Sequence, residues 1–334
     1  MEQSEKLLIM EEKIMNLLKL EPAFKDYLWG GTKLRDIYKK KCDFDKVAES
    51  WELSTHEAGS SIIVNGEYEG KTFIEYLATE GKKVWGTNAQ RFDKFPILIK
   101  FIDAKQPLSI QVHPDNEYAL RVEGEYGKNE VWYIIDCEPG SFLYFGVKEE
   151  MTKEQFRERI ENNTILDYLN KVEVHKGDVF FIKAGTILAI GAGQLICEIQ
   201  QNSNTTYRVY DFGRVDANGN PRELHVEKSI DVSSLVPSEK TYGQQEKVAL
   251  EGGHTKSVVA DCEYFASYCY NVKDSITFNA DETSFNSIII LEGEGTITCG
   301  DESATFVKGD SFFLPAGAGE YTINATCDII LTNV

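Results

Sequence analysis

Polar and apolar side chains alternate in residues 108–113 (LSIQVH). Ser109, Gln111 and His113 stand two positions apart, so in an extended strand all three point to the same face. A hydroxyl, an amide and an imidazole facing one way, between apolar neighbours, are suited to binding or catalysis. A hydrogen-bonded histidine in a polar loop before Pro114 would also explain the pattern, and the spacing alone favours neither interpretation.

A carboxylate and an ammonium group lie at the start of the next predicted strand. Glu130 directly precedes the strand-forming residues 131–133 (VWY), and Lys128 lies two positions earlier, on the same face of an extended chain. The carboxylate of Glu130, the amide of Gln111 and the imidazole of His113 make a mixed nitrogen and oxygen donor set. These residue types fit a divalent metal site.

A second group of polar residues lies in residues 195–208 (LICEIQQNSNTTYR). Glu198 lies within an apolar strand, and a buried carboxylate needs a partner or a metal to stay charged. Arg208 stays protonated, and its forked donor geometry suits a phosphate or a carboxylate. Glu198 and Arg208 either serve a site or pair with each other as a structural ion pair.

Length and charge restrict the classes of function. The 334 residues are enough for two domains with full cores. Acidic residues number 54 against 35 basic ones, a formal net charge of -19, which disfavours a nucleic-acid partner. A local basic cluster can still hold one small anion. Because no apolar run approaches the roughly 20 residues of a membrane span, we expect no membrane partner.

The amino terminus and the cysteines favour a cytoplasmic protein. Glu11 and Glu12 interrupt the apolar part of the first residues, which argues against a signal peptide, and residues 1–14 are predicted to be an extension before the folded part. The seven cysteines are scattered, with no Cys-x-x-Cys motif. Such a set is typical of reduced thiols rather than of a disulfide framework.

One short segment occurs twice and predicts the architecture. Residues 176–185 and 308–317 share the pattern Lys-Gly-Asp-x-Phe-Phe, an aliphatic residue, any residue, then Ala-Gly. Each copy reads as a tight turn, a strand too apolar to face water, and a second turn. Its recurrence predicts two β units of similar build. The chain is therefore expected to be mainly β.

Helices are predicted at only a few places in this β pattern. Capping boxes at residues 72–75 and 152–155 predict two helices, the first ending before Gly81 and the second lying near residues 152–170. We expect a catalytic domain over residues 15–240, with the second helix as an insertion, and a smaller β domain over residues 241–334. A polar stretch around residues 236–256 reads as the linker.

The chain resembles the short bacterial type I phosphomannose isomerases, members of the cupin superfamily. The resemblance extends over nearly everything from Met15 onward and rests on five segments. These segments are residues 27–34 (YLWGGTKL), 107–114 (PLSIQVHP), 127–133 (GKNEVWY), 200–208 (QQNSNTTYR) and 222–225 (RELH). It implies two cupin-like jelly-roll units and an isomerase that interconverts mannose 6-phosphate and fructose 6-phosphate through an enediol.

The resemblance also implies roles for individual residues. Positions matching Gln111, His113 and Glu130 hold zinc or another divalent metal in the family. Positions matching Ser109, Lys128 and Arg208 lie near the sugar phosphate, and Arg208 is also carried over as catalytic. Glu198 is a candidate for acid/base work, and a small-molecule sugar phosphate is the expected partner.

Two departures from the family pattern open an alternative function. The family's fourth metal ligand, a histidine, is Leu188 here, and an aspartate near the site is Asn204. Loss of an outer-shell contact alone weakens metal binding by about 10–100-fold, so we expect a weaker metal site rather than none. The alternative is a catalytically impaired protein that binds or senses a sugar phosphate. A cupin enzyme acting on another sugar is a third possibility.

Overall fold

The computed structural model describes residues 16–215 and 218–334. The predicted extension at residues 1–14 lies outside these ranges. The predicted mainly β fold with two jelly-roll units is confirmed, because each half of the chain folds into a pair of sheets that enclose an apolar cluster.

A seven-stranded and a five-stranded antiparallel sheet form the first unit. The seven-stranded sheet runs in the order β16 (Tyr242–Gln244), β12 (Asp178–Ile182), β9 (Glu130–Cys137), β14 (Gln194–Gln201), β7 (Ile97–Ala104), β3 (Glu49–Leu53) and β2 (Ala23–Lys25). The five-stranded sheet runs in the order β11 (Leu169–Glu173), β10 (Phe142–Val147), β13 (Leu188–Ile190), β8 (Ile110–Val112) and β15 (Tyr207–Tyr210).

An eight-stranded and a four-stranded sheet form the second unit. The eight-stranded sheet runs in the order β17 (Val248–Ala249), β18 (Thr255–Asp261), β19 (Ala266–Val272), β26 (Cys327–Asn333), β21 (Asn286–Glu292), β24 (Ser311–Leu314), β1 (Leu18–Glu21) and β6 (Ile62–Ile63). The four-stranded sheet runs in the order β20 (Ser275–Ala280), β25 (Gly319–Asn324), β22 (Gly295–Cys299) and β23 (Glu302–Phe306). A small ribbon pairs β4 (Thr55–His56) with β5 (Gly59–Ser60).

Short helices connect the strands. The α-helices of the described residues are α1 (Lys33–Asp36), α2 (Phe73–Glu80), α3 (Asn116–Val122), α4 (Lys153–Glu161) and α5 (Val226–Val232). Single 3-10 turns occur at Gly66–Tyr68, Gly81–Trp85, Asn88–Arg91, Ile165–Tyr168 and Glu251–Gly253. Both predicted capping boxes are confirmed, with Thr72 and Thr152 each accepting a hydrogen bond from the third helical residue. The predicted extent of the second helix to residue 170 is wrong, because α4 ends at Glu161, Asn163 takes a positive φ, and β11 begins at Leu169. None of the helices in the described residues is long and apolar enough to cross a bilayer.

The four sheets stack in layers because successive side chains along a strand point to opposite faces of its sheet. On β7, Phe101 and its alternate neighbours pack into a cluster shared with Phe313 and Ile330 of the second unit, so the two large sheets meet back to back. Ile102 of the same strand faces the opposite way, into the interior of the first unit. Helices α4 and α5 cover the outer face of the five-stranded sheet through Phe156, Ile230 and their neighbours.

The repeated segment has the same local structure in both units. Asp178 accepts a hydrogen bond from the His175 backbone N–H at 2.8 Å, and Asp310 accepts the equivalent one from Val307 at 2.9 Å. The first Phe of each copy, Phe180 or Phe312, lies inside its own unit, and the second Phe packs at the contact between the units. The repeat thus specifies one turn and one two-faced strand.

The two units exchange short strands across the predicted boundary at residue 240. Strand β1, from the amino-terminal part, pairs with β24 of the second unit. Strand β16, which follows the boundary, pairs with β12 of the first. The predicted linker contains β16 and β17. The division into domains stays a prediction.

Candidate active site

A polar cavity of about 260 Å³ lies at one end of the first unit, between its two sheets. The residues lining it are Tyr27, Trp29, Glu49, Lys100, Ile102, Leu108, Ser109, Gln111, Lys128, Ile190, Glu198, Asn204, Thr206, Arg208 and Arg222. Deeper in the same interior the side chains are apolar. The cavity is therefore a polar mouth above a closed core.

Charged side chains face one another on neighbouring strands of the seven-stranded sheet. Lys100 on β7 and Glu198 on β14 are direct cross-strand partners, and Glu198 is in turn opposite Trp132 on β9. Lys100 Nζ lies 3.2 Å from Glu198 Oε1, and the Trp132 indole donates to Glu198 Oε2 at 2.9 Å. Glu49 Oε2 lies 3.8 Å from the same Lys100 ammonium. The buried carboxylate of Glu198 is thus held by a charge and a hydrogen bond.

The structure brings His113 and Glu130 together next to this row. His113 Nε2 lies 3.8 Å from Glu130 Oε1, and both residues are buried. Lys128 Nζ lies 2.9 Å from Glu130 Oε2 and 3.5 Å from Glu198 Oε1. Neither the Nε2 atom of His113 nor either oxygen of Glu130 has an aligned hydrogen-bond partner. Lys128 therefore sits between two carboxylates.

Gln111 is the centre of a second row, on the five-stranded sheet. It is paired with Leu188 on β13 and with Arg208 on β15, so the three side chains point to the same face. Gln111 and Arg208 line the cavity. Leu188 is fully buried and packs into the apolar cluster below. A donor atom at position 188 would lie beside Gln111, where the leucine supplies none.

Guanidinium groups gather at the rim of the cavity. Arg208 donates to the Glu223 backbone carbonyl at 2.7 Å, and its buried Nε has no partner. Arg222 donates to both oxygens of Asp211, at 2.7 and 2.6 Å, and Arg214 also pairs with Asp211. Arg222 and Arg214 thus share one buried carboxylate. The rim suits an anion with several oxygen acceptors.

The electrostatic environment separates the two buried carboxylates. Burial, and then the like charge of Glu198, raises the pKa of Glu130. Burial opposes ionisation of Glu198, but the ammonium groups of Lys128 and Lys100 outweigh it and lower the pKa of that carboxyl. Burial, followed by Lys128, lowers the pKa of His113 well below its usual value. At neutral pH the imidazole is thus neutral and Glu198 is ionised.

These residues fit a divalent metal ion whose coordination shell is only partly supplied by protein side chains. Two ligand atoms about 2.1 Å from one tetrahedral ion lie about 3.4 Å apart, so the 3.8 Å between His113 Nε2 and Glu130 Oε1 is compatible with a shared ion. The neutral imidazole of His113 and the carboxylate of Glu130 are donors of the kind such an ion requires. In the described part of the chain no three His, Cys, Asp or Glu side chains group together for this purpose. A third protein donor would have to be a side chain of another type, and the amide of Gln111 lines the cavity nearby.

The structure brings the sequence-predicted residues together in one region, but some of them contact other partners than the sequence predicted. Five of the predicted residues line the cavity: Ser109, Gln111, Lys128, Glu198 and Arg208. The other two, His113 and Glu130, are buried beside each other next to Lys128. The alternative in which Glu198 pairs with Arg208 is wrong, because Lys100 and Lys128 are its charged partners among the described residues. Lys128 lies beside the carboxylates rather than beside the guanidinium groups of the rim.

Four further residues of the site were not predicted from the sequence: Lys100, Glu49, Arg222 and Asp211. Lys100 had a usable signal, since it is the one charged residue within the apolar run 95–101 (FPILIKF), and a lysine in a fully buried strand needs an acidic partner. Asp211 had no such signal and Arg222 only its place in the segment 222–225, because their pairing depends on the fold of the chain after β15.

Comparisons with known proteins agree over most of the chain. The family model "Phosphomannose isomerase type I, catalytic domain" matches residues 17–133, and the model "Mannose-6-phosphate isomerase, cupin domain" matches residues 254–334. The mannose-6-phosphate isomerase ManA of Bacillus subtilis is 37% identical over 325 residues, covering 95% of this chain and 98% of the relative. The mannose-6-phosphate isomerase of Streptococcus mutans is 36% identical over 317 residues, with the same coverage of 95% and 98%.

A solved structure gives the same picture. The crystal structure of the mannose 6-phosphate isomerase from Bacillus subtilis superposes with a TM-score of 0.88 at 36% identity, covering 96% of this chain and 100% of that one. Both units of the chain, and not only the cavity, are therefore common to the two proteins.

Proposed function

Because the chain belongs to the type I phosphomannose isomerase family, we propose that it is an aldose–ketose isomerase that interconverts mannose 6-phosphate and fructose 6-phosphate. The observation that carries this proposal is a cavity that brings two chemically different groups of side chains together. Lys128 lines it and contacts the buried pair of His113 and Glu130, and the guanidinium groups of Arg208 and Arg222 line it as well. A sugar phosphate needs both groups, one for its reacting carbons and one for its phosphate.

The rim residues would bind the phosphate. Arg208 has a buried Nε without a partner, and the rigid fork of a guanidinium matches phosphate oxygens. Arg222 is held in place by Asp211, so less side-chain freedom is lost on binding. The Ser109 hydroxyl lines the cavity and can donate to the same substrate. This end of the site would orient the sugar chain towards Glu198.

Gln111, His113 and Glu130 would hold a divalent metal, zinc or an ion of similar preference. When bound, such an ion polarises the carbonyl and hydroxyl oxygens of the substrate. The Lys128 ammonium, 2.9 Å from Glu130 Oε2, stabilises the ionised form of that carboxylate. Leu188 contributes no donor to this shell, so we expect weaker metal retention than a fourth protein ligand would give.

Glu198 would move the proton between the neighbouring carbons through an enediol. Glu198 lines the cavity, with its Oε1 between the ammonium groups of Lys100 and Lys128, and its lowered pKa keeps it ionised at neutral pH. A carboxylate with a low pKa is a weak base, so the carbon acid must be made more acidic for the transfer to be fast. Lys100, 3.2 Å from Glu198, and Lys128 are placed to stabilise charge that develops on the enediol oxygens.

The alternative is a protein that binds a sugar phosphate without turning it over. The observation in its favour is Leu188, which lies beside Gln111 yet packs into the apolar cluster. In that case the arginine rim would keep its ligand while the metal end would be incomplete. The two proposals differ in turnover and not in binding.

A coupled assay of metal-replete protein separates the two functions. We expect conversion of mannose 6-phosphate to fructose 6-phosphate that is lost after chelation and restored by zinc. Calorimetric binding of mannose 6-phosphate without turnover, in protein shown by elemental analysis to contain metal, would establish the binding function instead. Faster turnover of a different sugar phosphate would assign another substrate.

A further inference from the structure

The loop at residues 203–205, between β14 and β15, forms a wall of the substrate cavity. Asn204 lines this cavity and also an outer cleft on the far side of the loop. Ser203 is fully buried, and its backbone carbonyl accepts from the Gln200 amide at 2.6 Å. Any shift of this loop would therefore change the cavity directly.

The same loop orients the imidazole of His113. The Thr205 backbone carbonyl lies 3.0 Å from His113 Nδ1. A carbonyl only accepts hydrogen bonds, so Nδ1 carries the proton and Nε2 presents its lone pair towards Glu130. Outer hydrogen bonds of this kind fix both the tautomer and the direction of a histidine ligand. The position of the Thr205 carbonyl thus decides where the Nε2 lone pair points.

One carboxylate holds the loop from outside the cavity. Glu125 Oε2 accepts from the Asn204 backbone N–H at 3.1 Å, from Thr205 Oγ1 at 3.1 Å and from Ser203 Oγ at 3.3 Å. Its other oxygen, Oε1, lies 3.2 Å from His56 Nε2. Hydrogen bonds to a charged acceptor are among the stronger ones. Three consecutive loop residues are therefore fastened to a single oxygen atom.

The segment that carries Glu125 is itself braced. Lys128 donates from its backbone N–H to the Pro114 carbonyl at 2.9 Å, and the Gly127 N–H donates to the Asn116 side chain at 2.8 Å. A Cβ atom at Gly127 would lie 2.3 Å from the Asp115 backbone, so the close approach requires glycine. Glu125 is not among the residues that line the cavity. It acts on the site from a fixed support and without touching the substrate.

We propose that Glu125 is a positioning residue for the metal end of the site. By fastening residues 203–205, it holds the Thr205 carbonyl that fixes the tautomer and direction of His113. The expected effect on zinc binding rests on the proposed function. The hydrogen-bonded path from Glu125 through Thr205 to His113 does not, because it is formed without a metal. Removal of the carboxylate is expected to release the loop and to weaken zinc binding by His113 and Glu130.

Zinc affinity, measured by competition with a chromophoric chelator, tests the consequence. We expect Glu125→Ala to bind zinc about 10–100-fold more weakly than the unmodified protein, the range seen when an outer contact of a ligand is lost. Glu125→Gln keeps one acceptor oxygen and should lie between the two. The matched control is Glu123→Ala on the same segment, since Glu123 accepts from Tyr207 and Lys228 and not from residues 203–205. It should leave zinc affinity unchanged.

The path itself is tested without metal. The chain has five histidines, so the ring nitrogens of His113 can be assigned by nuclear magnetic resonance with His113→Gln as reference. We expect metal-free protein to show a protected Nδ1–H on His113 that Glu125→Ala exposes to exchange and Glu123→Ala preserves. Melting temperatures of all variants separate this effect from a general loss of stability.

The two measurements separate failure of this inference from failure of the proposed function. If the unmodified protein binds no zinc, the metal-assisted function falls, while the Nδ1–H signal still decides the role of Glu125. An unchanged His113 signal in folded Glu125→Ala overturns the inference, whatever the zinc affinity. A zinc affinity of Glu125→Ala equal to that of the unmodified protein overturns it as well.

Discussion

The interiors of the two jelly-roll units are enclosed by the same kind of sheet pair, yet one is polar at its mouth and the other is filled. In the second unit the inward positions of β21 and β26 carry Ile288, Ile290 and Ile329, all fully buried. In the first unit the inward positions of β7 and β14 include Lys100 and Glu198. The repeated Lys-Gly-Asp segment builds the same strand in both, so the frame does not determine which interior is open.

The two interiors differ more sharply in whether their buried polar atoms have hydrogen-bond partners than in how polar they are. Asn286, buried in the second unit, donates to the Asn279 carbonyl at 3.1 Å and to Tyr321 Oη at 3.0 Å. Glu130 and His113, buried in the first, keep atoms without an aligned hydrogen-bond partner. Leaving such groups unpaired is costly, and it is tolerated where a ligand completes them. The first interior is suited to binding a ligand, and the second is filled by its own side chains.

The largest expected effect is on activity, from a change in the first interior. Glu130→Gln keeps the shape but removes a charged metal donor, so we expect kcat/KM to fall by more than about 1,000-fold, since an ion's charge stabilisation is worth several kcal/mol. Tyr321→Phe, the matched change in the second interior, should cost about 1 kcal/mol of stability and leave kcat/KM within about twofold. Comparable activity losses in the two variants would erase the distinction between the interiors.

The next effect is on stability, from a change in the second interior. Phe312 is fully buried there, and Phe312→Ala should lower the free energy of unfolding by about 3–5 kcal/mol through the cavity that it leaves. Denaturant unfolding measures this loss. The folded variant, saturated with zinc, should keep its kcat/KM because none of the described residues of the second interior lines the site. A tenfold fall in kcat/KM would show that the second unit supports catalysis as well.

A smaller effect is expected at Leu188, where the polar mouth of the first interior meets its apolar core. Leu188→His places a donor beside Gln111, so we expect zinc affinity and activity to rise, with affinity at least about tenfold higher. Without metal, burying the imidazole should cost about 1–3 kcal/mol of stability, which zinc should restore. Elemental analysis and unfolding with and without zinc measure both effects.

The control for this gain is Ile190→His. Ile190 lies two residues further along β13 and lines the same cavity, but it is paired with Leu143 and not with Gln111. It should not raise zinc affinity. Unchanged zinc occupancy in Leu188→His would mean that position 188 does not face the metal end.

The smallest effect concerns pH and the guanidinium rim of the first unit. Burial opposes ionisation of Asp211, but hydrogen bonds from Arg222 and Arg214 outweigh it and lower its pKa below the usual 3.8. As pH falls through about 3.8, the unfolded chain takes up this proton first, so stability is lost on acidification. Asp211→Asn should reduce the fall in the urea midpoint between pH 5 and pH 3. An identical pH dependence in the variant would contradict the ion pairing.

Local sequence patterns determined the elements and the type of chemistry. Alternation placed Ser109, Gln111 and His113 on one face, the capping boxes at Thr72 and Thr152 set two helix starts, and the repeat set two equivalent strands. These features depend on neighbours within a few residues, where side-chain direction follows directly from backbone period. The family resemblance came from the same short segments.

Only the tertiary structure decided which charges meet. Lys100 and Glu198 are nearly a hundred residues apart in sequence but are direct partners across two strands, and Leu188 lies beside Gln111 through a similar long-range pairing. The alternating pattern decides which face of the sheet a side chain takes, but which residue of a distant strand lies opposite it depends on how the folded chain pairs its strands. The same holds for Glu125, whose hold on residues 203–205 arises only after the chain has closed around the cavity.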